Sequence, residues 1–459
     1  MNRISDKNMG RKMSYKYLLI ILFLTAGFFH ASAEEIFNLD KARALALSAS
    51  KELAIAAKKM NTSELKRAAL KYSWYPDISL AGSYRYSDNG VMEDYTPSAS
   101  ISLQQQIWDG GVYSAEKKIA EADNDIALYE WEEMILTVSR ECDNLYYSYA
   151  EALSRADTAK AAFEASEALR DYSLAKYESG IISRVSYLQM RSDTASKETD
   201  YLDARRDSII AGNILASFLG LDVLPESLET IIPSYEKYLD SVNSYIKNNM
   251  TVIPEKLFLE GLKNSPSLRN SEKTVQQREF EKSLKIRELN PRLSLSAART
   301  YSGDEIEGLV QNSSITLSAS LTLSQWNRAN QLKQADFSIS NAELTLDEAR
   351  RKYSLEINSA WLNLLSSAQA AYSAGLAADY ADEYYNEVYE RYMLASETVS
   401  SLKDAESDKT AAKTSFLKAK YDFLQTISAI LYLLGFENEN RLFEFIGIGQ
   451  LSDSNNGIF

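Results

Sequence analysis

Two hydrophobic patterns alternate along the chain. Apolar residues spaced three and four apart run from about residue 111 to 178, and this spacing predicts an amphipathic helix. At a rise of about 1.5 Å per residue the helix would be roughly 100 Å long. Short segments in which apolar and polar residues alternate strictly precede the long helices, and this period of two predicts β-strands. The chain is therefore predicted to be mostly helical, with a few strands.

The long helices carry a heptad-like seam that predicts coiled-coil packing. Its members in the first half include Val138, Cys142, Leu145 and Tyr149. Its members in the second half include Ile357, Leu364, Ala371 and Ala378. Gly and Pro are scarce, at 17 and 7 residues, which favours long uninterrupted helices.

The predicted strands are amphipathic, and they include residues 77–87, 99–107 and 315–323. One face is apolar and the other consists of small polar residues. The apolar positions proposed to face lipid are Leu80, Leu103, Leu295 and Leu321. Two architectures fit this pattern, namely a soluble four-stranded sheet packed on a helix and the wall of a membrane β-barrel. Aromatic residues near the strand ends favour the membrane alternative, in which several chains must combine because four strands cannot close a barrel.

The second half of the sequence repeats the first at a nearly constant offset. The matching pairs include Tyr75-Pro76 with Asn290-Pro291 and Leu219-Gly220 with Leu434-Gly435. Each half is predicted to contain a helix of about 35 residues that ends at its proline, two strands and two long helices. The chain is thus an internal duplication.

The N-terminal residues are typical of an export signal. A basic segment precedes the apolar residues 17–29, and Ala31-Ser32-Ala33 fits the small-residue cleavage rule. An uncleaved anchor is the alternative. The predicted segments are a signal peptide at 1–33, a first repeat at 34–220, a linker at 221–251, a second repeat at 252–435 and a C-terminal tail at 436–459.

Composition excludes several classes of function. The net charge of −14 argues against nucleic acid as a partner. The single histidine, His30, lies in the predicted signal peptide, so the mature chain has no imidazole for catalysis or for metal binding. The single cysteine, Cys142, cannot form an internal disulfide, and its place on the seam predicts core packing. No catalytic residues, cofactor or metal site are expected, and the chain is predicted not to be an enzyme.

Short motifs, each weak alone, occur in the same order as in one known family. They are the turn Ile107-Trp108-Asp109-Gly110-Gly111 before a long helix, the helix-tip turn Tyr177-x-x-Gly180, and the Leu-Gly pair that ends each half. Together with the duplication and the export signal, they make the chain resemble the TolC family of outer membrane efflux proteins over nearly all of the mature sequence.

The resemblance implies a homotrimer. Its four strands per chain would form a twelve-stranded barrel in outer membrane lipid, above long helices that cross the periplasm. Residues 221–251 and 436–459 would form an equatorial belt. The lower tip would dock on a periplasmic adaptor protein and an inner-membrane pump, as in tripartite efflux or type I secretion. The competing hypothesis is an exported periplasmic coiled-coil protein with a structural or adhesive role.

The same resemblance suggests residues at the tip. The candidates for the pore constriction are Asp404, Ser401, Tyr392, Glu397 and Tyr177. The candidates for adaptor contact are Gly180, Ser183, Ala395 and Ser396. Alternatively, Asp404 is a solvated charge on a helix face, and the two tyrosines belong to the packed seam.

Overall fold

The computed structural model confirms a mostly helical chain with one small sheet. It describes residues 37–88, 93–224, 235–247, 252–303, 310–321, 326–394, 396–436 and 442. The predicted signal peptide, 1–33, lies outside the described residues. So does nearly all of the predicted tail.

The same order of elements occurs twice along the chain. The first set consists of α1 (Leu39–Ala49), α2 (Lys51–Ala69), a 3-10 turn (Leu70–Trp74), β1 (Asp77–Asp88), β2 (Glu93–Trp108), α3 (Val112–Glu178) and α4 (Arg184–Leu219). One helix, α5 (Tyr235–Lys247), lies between the sets. The second set consists of α6 (Glu255–Asn264), α7 (Pro266–Arg287), β3 (Arg292–Ser302), β4 (Val310–Ser320), α8 (Arg328–Met393) and α9 (Val399–Leu434).

The prediction of a single helix of about 35 residues at the start of each half is wrong, because two shorter helices occupy that segment in each half. The breaks fall at Ser50 and Ser265, where ψ is 119° and 116° instead of the negative value of a helix. Pro266 follows the second break at the start of α7, a position where its missing N–H has no helical partner to lose. The two breaks occupy equivalent positions in the two halves, as the duplication requires.

The sheet is antiparallel with strand order β1-β2-β3-β4. Its strands extend farther than predicted toward the 89–92 and 304–309 connections. Leu321, predicted to lie in a strand, follows the last residue of β4. Ser320 pairs with Arg292, the first residue of β3, so no strand residue remains to pair with Leu321.

The chain divides into two compact units. One comprises Met1–Lys51, Ile135–Leu257 and Ile357–Phe459, and the other comprises Glu52–Met134 and Phe258–Glu356. We call them the helical unit and the sheet unit, because the second contains all four strands. Helices α3 and α8 each contribute residues to both.

In the helical unit the predicted seam is only partly correct in both halves, since the further second-half members Ala360, Ser367 and Ala374 are half-buried. Ile357, Leu364, Ala371 and Ala378 are all buried. On α3, Val138 and Cys142 are buried, but the residues that follow on the buried face are Tyr146, Tyr147 and Ala150. The predicted Leu145 and Tyr149 are only half-buried. The N-terminal segment accounts for the shift, since the Tyr146 hydroxyl donates to the Phe37 carbonyl oxygen at 3.3 Å.

A buried charged network holds α1 in the helical unit. The Asp143 carboxylate on α3 is 0% exposed. It accepts hydrogen bonds from Arg43 Nε and Nη2 at 2.6 and 2.7 Å, and from the Tyr432 hydroxyl at 3.1 Å. Ser428 on α9 donates a further bond to it. Burial lowers the pKa of Arg43, but the hydrogen bonds and charge of Asp143 outweigh it, and the net shift is upward. Three helices are thus fixed through one carboxylate.

Helix α5 packs through its aromatic residues. Tyr235 meets Phe416 and Phe423 of α9, with ring centroids 6.5 and 6.1 Å apart. Tyr245 meets Trp361 of α8 edge-on at 5.3 Å. Part of the predicted linker is therefore a docked helix. Within the described ranges, no helix is both long enough and apolar enough to span a bilayer.

Candidate functional site: the amphipathic sheet and the helix tip

The sheet has one apolar face. Cross-strand pairs share a face, and the register joins Leu80 to Ile101 and Leu103 to Ala297. The large aliphatic residues of this face are Ile78, Leu80, Ile101, Leu103, Leu293, Leu295, Ile315 and Leu317. Leu80 and Ile315 are 82% and 81% exposed. Exposure of so much contiguous apolar surface is characteristic of a face that meets lipid or a partner.

The opposite face is small and polar. Ser79 and Ser102 are hydrogen-bonded through their hydroxyls at 2.6 Å, and Ser83 and Ser98 at 2.8 Å. Its other members include Ser100, Ser294, Ser296, Thr316 and Ser318. The hydroxyl groups present donors and acceptors to water, so this face suits an aqueous lumen.

The register places three of the four predicted lipid-facing residues together. Leu80, Leu103 and Leu295 all lie on the apolar face, in neighbouring cross-strand rows. Leu321 lies beyond β4 and outside this arrangement. That the face contacts lipid remains a prediction.

The turn from β2 into α3 explains the Asp-Gly-Gly motif. Asp109 accepts the backbone N–H groups of Gly111 at 2.9 Å and of Tyr113 at 2.5 Å, and so caps the helix. Gly110 and Gly111 have φ of 73° and 88°, which side chains rarely adopt. A Cβ at Gly110 would also lie 2.5 Å from the Asn290 Cβ. The motif is therefore required by backbone geometry at the base of the sheet.

In the helical unit, two helix-to-helix turns form the tip. Gly180 adopts a φ of 75°, and the next N–H, of Ile181, donates to the Lys176 carbonyl oxygen at 2.9 Å, which closes α3. Ser183 then accepts the Ser186 N–H at 3.1 Å and caps α4.

The second turn repeats this cap at the equivalent position of the second half. Thr398 accepts the Ser401 N–H at 3.1 Å and caps α9. Ser396 donates through its hydroxyl to the Arg391 carbonyl oxygen at 2.9 Å. Of the predicted adaptor-contact residues, Gly180, Ser183 and Ser396 are thus exposed parts of the two turns. Ala395 lies outside the described residues.

The two predicted tip tyrosines have different surroundings. Tyr392 is 3% exposed and belongs to the cluster that packs α3, α4, α8 and α9 together. Its hydroxyl lies 3.3 Å from the Ser173 hydroxyl. Tyr177 is exposed and stacks on Tyr187 of α4, with ring centroids 5.7 Å apart. In this conformation Tyr392 packs the seam, as the alternative interpretation allowed, and its pore role stays a prediction.

The predicted acidic ring positions lie on α9. Asp404 is exposed and follows Ser401 by one helical turn, so the two share a face. Ser401 takes part in the cap of α9, where its hydroxyl lies 2.9 Å from that of Thr398. Glu397 is half-buried in the turn itself.

Sequence reasoning missed two buried carboxylates beside the tip. Asp193 on α4 and Glu406 on α9 are both buried. Asp193 Oδ1 pairs with Lys403 at 3.2 Å, while Asp193 Oδ2 and Glu406 Oε1 make no hydrogen bond to the residues described. No periodic signal marks Asp193. Glu406, however, follows Leu402 by four residues on the buried stripe, and this spacing could have indicated it.

Burial raises the pKa of Glu406, and the charge of Asp193 raises it further, while Lys197 and Lys409 oppose the shift. Tyr385 of α8 faces the same carboxylate. Its pKa is raised to about 12, first by burial and then by Glu406. Negative charge at Glu406 is therefore unfavourable in the packed tip.

Comparison with known proteins identifies the class. The sequence matches the outer membrane efflux protein family over residues 42–221 and 259–435, most of the chain. It is 24% identical to the outer membrane protein TolC of Salmonella enteritidis over 390 residues, which covers 80% of this chain and 75% of TolC. It is also 30% identical to the outer membrane protein OprJ of Pseudomonas aeruginosa, but over only 31% of each chain.

Solved outer membrane channels share the fold. The CmeC channel of Campylobacter jejuni superposes with a TM-score of 0.71 and 16% identity, covering 92% of this chain and 94% of CmeC. The MtrE channel of Neisseria gonorrhoeae superposes with a TM-score of 0.71 and 14% identity, covering 87% and 89%. The fold is that of an outer membrane channel rather than an enzyme. The chain belongs to the outer membrane efflux protein family, and it is an outer membrane protein that extends into the periplasm.

Proposed function

We propose that the chain is one protomer of a homotrimeric exit duct, through which solutes leave the cell without chemical change. The observation that carries this proposal is the sheet, in which one face is apolar and exposed while the other is lined by hydroxyl groups. Such a sheet suits a wall between lipid and water. The rival hypothesis, a periplasmic coiled-coil protein, does not explain this amphipathic sheet.

The number of chains follows from the strand count. Strands β1 and β4 are the edges of the sheet, and their unpaired backbone groups are not tolerated in lipid. Four strands are too few to close on themselves, since small barrels have about eight. Three chains would supply twelve strands and leave no edge.

The tip turns are the proposed docking surface for a periplasmic adaptor, which would connect the duct to an inner-membrane pump in tripartite efflux or type I secretion. Apolar side chains are exposed around both turns, namely Ile181, Val185 and Leu394. Apolar groups that remain exposed beside well-capped turns are typical of a protein interface. Asp404 and Ser401 are the proposed ring at the constriction.

The proposed equatorial belt contains the linker 221–251, which joins the repeats 34–220 and 252–435, and the tail 436–459, which follows the second repeat. The aromatic packing of α5 on α8 and α9 supports this assignment for the linker. Phe436 and Leu442, both buried, support it for the start of the tail.

The channel function is tested by conductance. The purified mature protein, reconstituted in a planar lipid bilayer, should produce discrete conductance steps. A protein that inserts as a trimer but never conducts would refute the duct.

The docking role is tested by site-specific photocrosslinking in cells. A photoreactive residue at Ser183 or Ser396 should crosslink to an adaptor of the membrane-fusion class. The matched control is Glu164, an exposed residue of α3 away from both turns. Equal adaptor yield at all three positions, or none at the tip, would contradict the assignment.

A further inference from the structure

One arginine lies on the apolar face of the sheet. Arg299 pairs with Ile101 of β2 and with Ser313 of β4, so its side chain leaves on the same side as the aliphatic residues. A cation on a lipid-exposed strand is unfavourable by about 2–4 kcal/mol at the midplane, and the cost falls toward the interface. An arginine at this position therefore indicates a polar partner near the membrane surface.

The arginine is directed away from the middle of the apolar face. It lies four residues beyond Leu295, a distance of roughly 13 Å along the strand at about 3.3 Å per residue. Its guanidinium lies over the ring of Tyr301, 5.5 Å from the centroid and two residues nearer the end of β3. Aromatic rings and the charged ends of long side chains occupy the headgroup level of a membrane. If the apolar face contacts lipid, the charge therefore lies at the level of the lipid phosphates.

The surroundings combine hydrogen-bonding groups with an apolar depression. Ser313 is paired with Arg299, and Gln311 with Tyr301, so both polar side chains share its face. Below them lies a shallow depression of about 580 Å³. It is lined by Ile101, Leu103, Ala297, Arg299, Ser313 and Ile315, among others. A cation at one end of an apolar groove matches a phosphate joined to an acyl chain.

No carboxylate of the described residues forms an ion pair with Arg299. Some arginines of the sheet unit do form ion pairs, for example Arg278 with Glu281 at 2.8 Å and Arg269 with Glu132 at 3.2 Å. Guanidinium groups bind phosphate through paired, charge-assisted hydrogen bonds. Among the residues that the structure describes, no ion pair uses this capacity of Arg299.

We propose that Arg299, together with Ser313 and Gln311, holds the anionic phosphate headgroup of an outer membrane lipid, whose acyl chain lies in the depression below. The inference rests on the proposed function in one respect, since the apolar face must contact lipid.

The test is native mass spectrometry of the mature protein in a mild non-ionic detergent, titrated with phosphatidylglycerol or with zwitterionic phosphatidylcholine. Wild type should bind phosphatidylglycerol roughly tenfold more tightly, the effect of a charge-assisted hydrogen bond. Arg299→Gln should reduce this preference to near unity. The matched control is Arg85→Gln, because Arg85 pairs with Thr96 on the polar face and should leave lipid binding unchanged.

The same spectra separate the two ideas. A trimer that binds both lipids equally, or whose preference survives Arg299→Gln, overturns the lipid site and leaves the channel intact. A preference lost in Arg85→Gln instead would overturn the assignment of the faces. A chain that stays monomeric and retains neither lipid contradicts the proposed function itself.

Discussion

The buried Asp143 carboxylate should be among the strongest single contributors to the helical unit. The change Asp143→Asn keeps the shape of the side chain but removes the negative charge that faces Arg43 at 2.6 and 2.7 Å. Arg43, whose side chain is 20% exposed, would keep, among the described carboxylates, only that of the exposed Asp40 at 3.6 Å, and breaking a buried pair costs up to about 3–5 kcal/mol. The free energy needed to separate α1 from its neighbours should fall by the same amount.

Cys142, next to this carboxylate, supplies the assay. It is the only cysteine and is 0% exposed. Burial, and then the charge of Asp143, raise the pKa of its thiol to about 12, so it is protonated and shielded at pH 8. A thiol reagent can react only after the site opens. At tenfold per 1.4 kcal/mol, Asp143→Asn should accelerate labelling by roughly 10²- to 4 × 10³-fold.

The control is Glu164→Gln on the same helix, which removes an exposed pair with Lys160 and should change the opening free energy by less than about 1 kcal/mol. Labelling of Asp143→Asn no faster than that of Glu164→Gln would refute the reasoning.

Three further predictions concern the tip and the sheet. The raised pKa of Glu406 means that folding favours its protonated form, so this stabilisation is present below about pH 4.5 and is lost as the pH rises through the folded-state pKa. The melting temperature of Glu406→Gln should therefore exceed that of wild type at pH 8, by roughly 2–4 °C for each kcal/mol of stability gained, and the two melting temperatures should converge near pH 4. A difference that stays constant at all pH values would contradict this. Leu295→Arg should reduce the yield of heat-resistant trimer in outer membranes, because an arginine that faces lipid destabilises the barrel by about 2–4 kcal/mol, whereas Ser294→Arg on the polar face should be tolerated. Equal yields of the two variants would argue against barrel strands. Asp404→Ala should lower cation selectivity in planar bilayers without impairing assembly; if Glu397→Ala alters selectivity and Asp404→Ala does not, the predicted register at the tip is wrong.

The repeat and the class of each element could be predicted because both depend on local signals. Apolar residues three and four apart give a helix whatever it packs against, and the constant offset between matching motifs is visible without any structure. The breaks at Ser50 and Ser265 were also accessible, since Pro266 marks the second one. The prediction of one continuous helix in each half did not take this proline into account.

What could not be predicted depends on partners distant in sequence. The buried face of α3 is shifted to Tyr146 and Tyr147 because the segment around Phe37 packs there, far away along the chain. Asp193 resembles any exposed helix charge until α9 brings Lys403 to 3.2 Å. The end of β4 before Leu321 is set by the first residue of β3, through a register that alternation alone does not fix.

A channel wall built from several copies of a four-stranded sheet fixes the mass of the assembly. The mature protein, purified from outer membranes in mild detergent, should be measured by light scattering with the detergent contribution subtracted. We expect a protein mass of about three times that of one mature chain, because three chains would supply twelve strands and leave no edge in lipid. A stable monomer in both detergent and lipid would contradict it.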